Sequence, residues 1–219
     1  MSCDVVGGRI IIGIRYDMPP RNQERLSFAR RRIVIPDVVG RKREERMNQI
    51  NIQLCETEVG QVVLGSFRGK LCFLGFRDRG MKTTVDDRIK KVLNAEIVER
   101  DDEILEKTRR QLDEYLEGRR KAFDVPVLMT GTDFQKRVWK ALMRIPYGAT
   151  STYGQIAKAI GNPRAVRAVG GACGANPIAI IVPCHRVVGS NGGLVGYGGG
   201  LPLKRRLLAL EQKSRPNLH

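Results

Sequence analysis

Histidine and long apolar runs are what this sequence most conspicuously lacks. Only two of its 219 residues are histidine, His185 and His219, and no run approaches the roughly 20 apolar residues of a membrane span. The N-terminus also has no apolar core followed by a small-residue cleavage site, the pattern of a secretory signal. We therefore expect no membrane partner and an intracellular location, cytoplasmic in a prokaryote and nuclear in a eukaryote.

Cysteine is scarce and scattered. The five cysteines lie at positions 3, 55, 72, 173 and 184, an odd set with no CxxC pair. Such spacing argues against a disulfide framework and for a reducing compartment. A closed zinc site needs about four Cys or His ligands, and no histidine lies among the first three cysteines. The sequence therefore predicts neither a metal nor another cofactor.

Acidic residues are nearly missing from the last part of the chain. Residues 131–219 contain 13 Lys and Arg but only two acidic residues, Asp133 and Glu211, whereas residues 49–130 contain 15 of each sign. Residues 1–48 are mildly basic, with 11 against 6. A polyanion is the expected partner, nucleic acid before a membrane surface, because no lipid-binding helix accompanies the charge. The alternative is a basic surface that is merely solvated.

The first two thirds of the chain show a change of pattern near residue 49. Residues 1–48 predict a basic extension of unknown role, in which 10–14 and 32–36 could form short strands. Residues 49–130 have the pattern of a small α/β domain. The expected elements are a hairpin of strands at 62–66 and 70–76, a helix within 86–118, and a strand at 121–128.

Residues 131–219 predict a second, mainly helical domain. Its helices are expected to begin at Thr132 or Asp133, to cover residues 151–161, to open at Pro163, and to run from about Pro202 to Gln212. The second and third of these helices are short and joined by a tight turn that contains glycine. This arrangement predicts a helix-turn-helix.

Cys184 and His185 are adjacent at the end of an apolar run, IAIIVP, which predicts a strand that ends at Pro183. A histidine beside a cysteine can act as its base, directly or through water, and Arg186 adds positive potential that favours thiolate. A buried cysteine is more often an inert small apolar residue. A Cys–His pair would also suit a protease or an acyltransferase.

Residues 165–176, AVRAVGGACGAN, form an unusual candidate for a recognition helix. Helices that read the major groove normally present long polar side chains, whereas Arg167 is the one long polar side chain here. Glycine costs about 1 kcal/mol in a helix relative to alanine, so some close approach is required. Either the helix packs tightly inside the protein or it approaches DNA, with Arg167 entering a groove or the base stack.

From Gly131 to Glu211 the sequence resembles the O6-alkylguanine-DNA alkyltransferases, also called methylated-DNA–protein-cysteine methyltransferases. The resemblance rests on IPYGAT, YGQIA, IGNPRAVRAVG, NPIAIIVPCHRVV, GYGGG and the final LLALE, which agree in order and in spacing. It implies a two-domain α+β protein. A ribonuclease-H-like α/β domain at 49–130 would precede a mostly helical, winged helix-turn-helix-like domain at 131–219 that binds DNA and accepts the alkyl group.

The resemblance also implies an activity and a set of site residues. The activity is repair by direct reversal, in which a monomer moves an alkyl group from O6 of guanine, or from O4 of thymine, in duplex DNA to its own cysteine. Such a protein is inactivated by one turnover. By position, the catalytic residues would be Cys184 as acceptor, His185 as base through a water, Glu211 as its support and Asn176 as a hinge. Tyr153, Val187 and Tyr197, with the loop 190–200, would contact the base, and Arg167, Asn162, Ser190 and Arg186 would contact DNA.

One position departs from the family pattern, and other functions stay open. Many relatives have serine after the pocket tyrosine, where this chain has Gly198, so one hydrogen bond to guanine is either missing or supplied by backbone. A lesion-recognition protein of the alkyltransferase-like type is disfavoured because such proteins lack the cysteine. A transcription regulator that uses the helix-turn-helix and the basic extension is a further alternative. A cysteine hydrolase is the weakest, because no oxyanion hole or peptide cleft is evident.

Overall fold

The computed structural model describes residues 2–6, 9–13, 48–77 and 82–213, with side chains described for 48–77 and 87–213. The chain separates into two units, residues 1–37 and 38–219. The first unit contains an antiparallel hairpin of β1 (Ser2–Val6) and β2 (Arg9–Gly13). The strand predicted at 10–14 is thus confirmed to within one residue. The strand predicted at 32–36 lies outside the described residues.

A four-stranded sheet opens the second unit. Its strands are β3 (Gln49–Thr57), β4 (Gly60–Phe67), β5 (Lys70–Phe76) and β6 (Glu96–Glu99), in the order β5-β4-β3-β6. The first three are antiparallel, and β6 runs parallel to β3. The predicted hairpin is confirmed as β4–β5. Its turn consists of Arg68 and Gly69, which both have positive φ, 49° and 73°.

The helix predicted within 86–118 is confirmed at Glu103–Leu116, but the helical pattern does not continue through the whole segment. The structure has helix α1 (Lys82–Leu93), then β6, then helix α2 (Glu103–Leu116). Asn94, at φ 46°, ends the helical path before β6. Asp102 then starts α2 by accepting hydrogen bonds from the backbone N–H groups of Ile104 and Leu105, both at 3.0 Å.

The strand predicted at 121–128 does not form. Only Val127 makes a bridge, to Leu71 of β5. The backbone N–H of Leu71 donates to Pro126 at 2.8 Å, and that of Leu128 donates to Leu71 at 2.7 Å. Because Pro126 has no N–H to donate, the pairing cannot continue through Pro126 toward the N-terminal side.

Residues 131–213, the helical region, contain the expected helices. They are α3 (Asp133–Leu142), α4 (Tyr153–Ala159), α5 (Val166–Gly174) and α6 (Leu201–Lys213), with short strands β7 (Ser151–Thr152) and β8 (Val187–Val188) paired in parallel. The helix expected to open at Pro163 begins at Val166 instead, because Ala165 closes a turn onto the carbonyl of Asn162 at 3.0 Å. Helices α4 and α5 pack on each other.

The helical region and residues 49–130, the sheet region, share one apolar core. It includes Leu64 from β4, Leu112 from α2, Trp139 from α3 and Leu207 from α6, all fully or nearly fully buried. In the part of the chain that the structure describes, no helix has the length and apolar character needed to cross a membrane.

Candidate active site

Cys184 lies at the start of a single 3₁₀ turn, Cys184–Arg186, and not after a strand. The apolar run before it was predicted to be extended. Its one bridge is from Ile178 to Leu74 of β5, and Ile180 has φ 67°. The chain turns at this point. The apolar side chains of the run are buried although the run pairs with a strand at one residue only. Cys184 is 8% exposed.

Asn176 holds the cysteine from the end of α5. Its amide nitrogen donates to the carbonyl of Val182 at 2.8 Å and to Sγ of Cys184 at 3.3 Å. Its amide oxygen accepts from the backbone N–H of Ile178 at 3.0 Å. One side chain therefore connects the end of α5, the following turn and the thiol.

The environment of Cys184 keeps its thiol protonated. Burial raises the pKa of Cys184, and the hydrogen bond from Asn176 and the positive charge of Lys204 lower it by less, so that the net direction is upward. A raised pKa leaves little thiolate at neutral pH. A nearby base is therefore needed to make this sulfur a nucleophile.

His185, the next residue, is the candidate for that base. Its Nε2 lies 2.9 Å from Oε1 of Glu211, and the imidazole is fully buried. Burial lowers the pKa of His185 against the opposing effect of Glu211, so the ring is neutral. A neutral imidazole that donates from Nε2 has its lone pair on Nδ1, and Nδ1 is buried with no hydrogen-bond partner among the described residues.

Glu211 is ionised, and besides His185 it accepts hydrogen bonds from four donor atoms of three residues. Its oxygens accept from Oη of Tyr115 at 2.5 Å, from the backbone N–H of Gly148 at 2.9 Å, and from Nε and Nη2 of Arg186 at 2.9–3.0 Å. Burial alone would raise the pKa of Glu211. The hydrogen bonds from His185, Arg186 and Tyr115 outweigh burial and lower this pKa to about 2.

Arg186 does not occupy the place predicted for it. Sequence reasoning placed it on DNA and assigned it the role of favouring thiolate. In the structure its side chain is 9% exposed, and it binds Glu211 and the carbonyl of Ile145, the latter at 2.7 Å. The buried carboxylate neutralises its charge and occupies its planar donors. Arg186 is therefore a structural partner of Glu211.

Two site residues were missed by sequence reasoning. Tyr115 belongs to α2 in the sheet region, and its position three residues after Leu112 would indicate no more than a core residue. Lys204 is fully buried in α6, and its Nζ donates to the carbonyls of Val187 at 2.5 Å and Val195 at 2.7 Å. The signal for Lys204 was present, since it lies at helical spacing with the apolar Leu207 and with Glu211.

A cavity of about 450 Å³ opens beside Cys184. Tyr153 and Tyr197, two of the three residues predicted to contact a base, line it together with Gly198. Val187, the third, is fully buried and is not among the residues that line this cavity. Oη of Tyr153 donates to the carbonyl of Val195 at 3.4 Å.

Three of the four residues predicted to contact DNA, Asn162, Arg167 and Ser190, are exposed. The fourth, Arg186, is buried. Gly171 and Gly174 of α5 are exposed too, and a Cβ at either would find no atom within 4 Å. The glycines at these two positions are therefore not explained by packing inside the protein. Among the described residues, no cluster of His, Cys, Asp or Glu could hold a metal ion.

Comparison with known families assigns both regions of the chain to known domains. Residues 51–129 match the ribonuclease-like domain of 6-O-methylguanine DNA methyltransferase, and residues 133–213 match the DNA binding domain of 6-O-methylguanine DNA methyltransferase. The fold is thus a ribonuclease-like α/β domain followed by a helical DNA-binding domain, as expected. The chain belongs to the methylated-DNA–protein-cysteine methyltransferase family.

Individual relatives are similar over most of their length. A methylated-DNA–protein-cysteine methyltransferase of Methanosarcina acetivorans is 48% identical over 156 residues, which cover 71% of this chain and 94% of the relative. The inducible enzyme of that name from Bacillus subtilis is 48% identical over 144 residues, 66% of this chain and 80% of the relative. The crystal structure of Mycobacterium tuberculosis OGT in complex with DNA has a TM-score of 0.64 and 41% identity, and covers 77% of this chain and 96% of that chain.

Proposed function

We propose that this protein repairs DNA by direct reversal of alkylation damage. It binds duplex DNA that contains O6-alkylguanine and, as a monomer, transfers the alkyl group to Sγ of Cys184. The observation that carries this proposal is the pair of adjacent buried residues, Cys184 and His185, each held by its own hydrogen bonds. Asn176 contacts Sγ at 3.3 Å, and the neighbouring His185 is held by an ionised Glu211 at 2.9 Å.

The geometry supports a sequence of proton and electron movements. Nδ1 of His185 takes the thiol proton through a water, and Glu211 stabilises the imidazolium that forms. Sγ then attacks the alkyl carbon, so that an S–C bond forms and the C–O6 bond breaks with its electron pair on guanine. The guanine takes up a proton and leaves. The resulting thioether has no good leaving group, so each chain reacts once.

The exposed face of α5 supports close approach to DNA. Gly171 and Gly174 leave this face without side chains, although each glycine costs about 1 kcal/mol in a helix. Arg167 is exposed on the same helix. A base must leave the stack before a cysteine can reach its O6 substituent, at a cost of about a few kcal/mol. An arginine that fills the gap and basic groups that bind phosphates offset that cost.

Intact-mass analysis after mixing with a duplex that contains O6-methylguanine tests the proposal. We expect one added methyl group, on the peptide that contains Cys184, and none in Cys184→Ala. Cys173→Ala is the matched control and should still be methylated, because Cys173 lines the same cavity but has no adjacent base. A methyl group on Cys173 or Cys55 of the unaltered protein would refute the assignment of the acceptor.

A further inference from the structure

Cys173 shares the reaction cavity with the acceptor but has no part in the proposed transfer. It belongs to the last turn of α5, and its side chain is buried. Cys173 and Cys184 both line the cavity of about 450 Å³, and both also line a second cavity of about 70 Å³. The other cysteines whose side chains the structure describes, Cys55 and Cys72, border neither cavity. The two thiols thus border common space.

Asn176 connects the two cysteines by hydrogen bonds. Its backbone N–H donates to the carbonyl of Cys173 at 3.3 Å, and its amide nitrogen donates to Sγ of Cys184 at 3.3 Å. The end of α5 and the turn that contains the acceptor are therefore neighbours in space. The two cysteine side chains reach the same cavities from these neighbouring turns.

Lys204 places a positive charge near both sulfurs. It is fully buried, and its Nζ donates to three backbone carbonyls, those of Val187, Val195 and Gly196. Three acceptors match the three donors of an ammonium group. Burial, and after it the negative charge of Cys184, raise the pKa of Cys173 to about 12, while Lys204 lowers this pKa by less. The thiol of Cys173 therefore ionises more easily once the sulfur of Cys184 has lost its charge.

We propose that Cys173 is a resolving cysteine, which forms a reversible disulfide with Cys184 when hydrogen peroxide oxidises the acceptor. This inference rests on the proposed role of His185 as base, because the thiolate that attacks an alkyl carbon can also attack a peroxide oxygen. The cavity of about 450 Å³ has room for so small an oxidant. The reaction needs no DNA.

The oxidation proceeds in two steps. In the first, Sγ of Cys184 attacks one peroxide oxygen, so that an S–O bond forms and the O–O bond breaks. The departing hydroxide takes the proton that His185 removed and leaves as water, and Cys184 becomes a sulfenic acid. In the second, Sγ of Cys173 attacks Sγ of Cys184, an S–S bond forms, and the S–O bond breaks. Hydroxide leaves with the thiol proton of Cys173 as a second water, so that two thiols are oxidised and one peroxide is reduced.

The disulfide protects an acceptor that can be used only once. While it lasts, Sγ of Cys184 cannot accept an alkyl group. The same bond prevents further oxidation of Cys184 to sulfinic acid, which ordinary thiols do not reverse. Reduction by a thiol returns both cysteines, and with them the capacity for transfer.

Peptide mapping of the reduced full chain after brief treatment with hydrogen peroxide tests the proposal. Iodoacetamide labels the remaining thiols, and trypsin then releases residues 168–186 as one peptide that contains both Cys173 and Cys184. We expect this peptide to be unlabelled and lighter by two hydrogen atoms, and to recover both thiols after dithiothreitol. A sulfinic Cys184 beside a labelled Cys173, a peptide labelled at both cysteines, or a disulfide between two chains would overturn the proposal.

Cys173→Ser removes the resolving thiol. The readout is the fraction of methyl transfer that returns when dithiothreitol follows peroxide. This fraction should fall by about fivefold or more in Cys173→Ser, because Cys184 then proceeds to sulfinic acid. Cys55→Ser is the matched control, since Cys55 is buried in β3 and borders neither cavity, and its fraction should equal that of the unaltered protein.

Equal recovery in Cys173→Ser and Cys55→Ser would also overturn the assignment of Cys173. Where Cys173→Ser does not fold, the peptide mass of the unaltered protein decides the question. If the untreated, reduced protein transfers no methyl group, the proposed function fails, whereas the presence or absence of the disulfide is still read from the peptide mass.

Discussion

The sheet region and the helical region differ in charge and in what they contribute to the site. Residues 49–130 contain 15 basic and 15 acidic residues, whereas residues 131–219 contain 13 basic and 2 acidic. The three residues proposed to carry out or support the reaction, Cys184, His185 and Glu211, all belong to the basic region. The neutral region supplies Tyr115, which donates to Glu211 at 2.5 Å, and β5, whose Leu74 donates to the carbonyl of Pro177 before Cys184 at 2.9 Å.

The two regions thus have different roles: one attracts DNA through its charge, and the other helps to position Glu211. Positive charge brings the helical region to a polyanion and works at long range. The buried carboxylate is positioned by hydrogen bonds, which act at short range, and a neutral donor such as Tyr115 provides one without adding a net charge near the cysteine. The sheet region can thus be neutral and still belong to the site.

The largest expected effect within this comparison lies at His185, in the basic region. His185→Gln removes the base while keeping a polar side chain, and methyl transfer should slow by about 100-fold or more. Because burial lowers the pKa of His185 below its usual 6.5, the unaltered rate should hold steady as pH falls through 6.5 and drop only at lower pH. Quenched single-turnover transfer assays over a range of pH measure both the rate loss in His185→Gln and the pH dependence of the unaltered protein. A wild-type rate that is already halved at pH 6.5 would contradict the buried neutral imidazole.

A smaller effect is expected at Arg167, a surface charge of the basic region, and Arg88 of the sheet region is its control. Arg167→Ala should slow transfer from duplex DNA by about tenfold or more, because the flipped base then leaves an unfilled gap. Transfer from the free O6-methylguanine base needs no extrusion and should be unaffected. Arg88 is an exposed arginine of the sheet region, and Arg88→Ala should change neither rate. Equal losses on duplex and free base in Arg167→Ala would show that Arg167 serves the fold or the pocket instead.

The smallest effect is expected at Tyr115, the contribution of the neutral region. Tyr115→Phe removes one donor from Glu211 and should slow transfer about fivefold, equivalent to about 1 kcal/mol. The carboxylate then attracts the His185 proton more strongly, so the acid limb of the pH profile should move to higher pH.

Tyr147→Phe is the matched control for Tyr115→Phe. The rings of Tyr147 and Tyr115 pack edge to face, and Oη of Tyr147 has no hydrogen-bond partner among the described residues. Removing this hydroxyl should leave both rate and pH profile unchanged. A Tyr115→Phe variant that loses stability but keeps the unaltered pH profile would reduce Tyr115 to a core residue.

Sequence patterns located the chemistry better than the backbone around it. The pairing of Cys184 with His185, and the isolation of Glu211 among basic residues, could be noted without coordinates. The strand expected before Cys184 was wrong, because an apolar run of that length fits a buried turn as well as a strand. The break in the helical pattern of 86–118 was missed for a related reason. Helical spacing there continues across Glu96–Glu99, and only pairing with β3 makes that segment a strand.

Long-range contacts set the limit on what sequence could reveal. Tyr115 and Glu211 are 96 residues apart, and no local pattern relates them. Arg186 was misassigned because an arginine beside a reactive cysteine in a basic domain resembles a DNA contact. Only the fold shows that Glu211 lies beside the guanidinium of Arg186 and forms a buried ion pair with it.

The central claim is that Cys184 is consumed by a single irreversible transfer. Titration of a known amount of protein with excess duplex that contains O6-methylguanine tests it most directly, with repaired guanine counted over long incubation. The account predicts a plateau at one repaired base per chain, with one methyl group on Cys184. A count that climbs past one per chain, or a plateau reached with Cys184 unmodified, would contradict it.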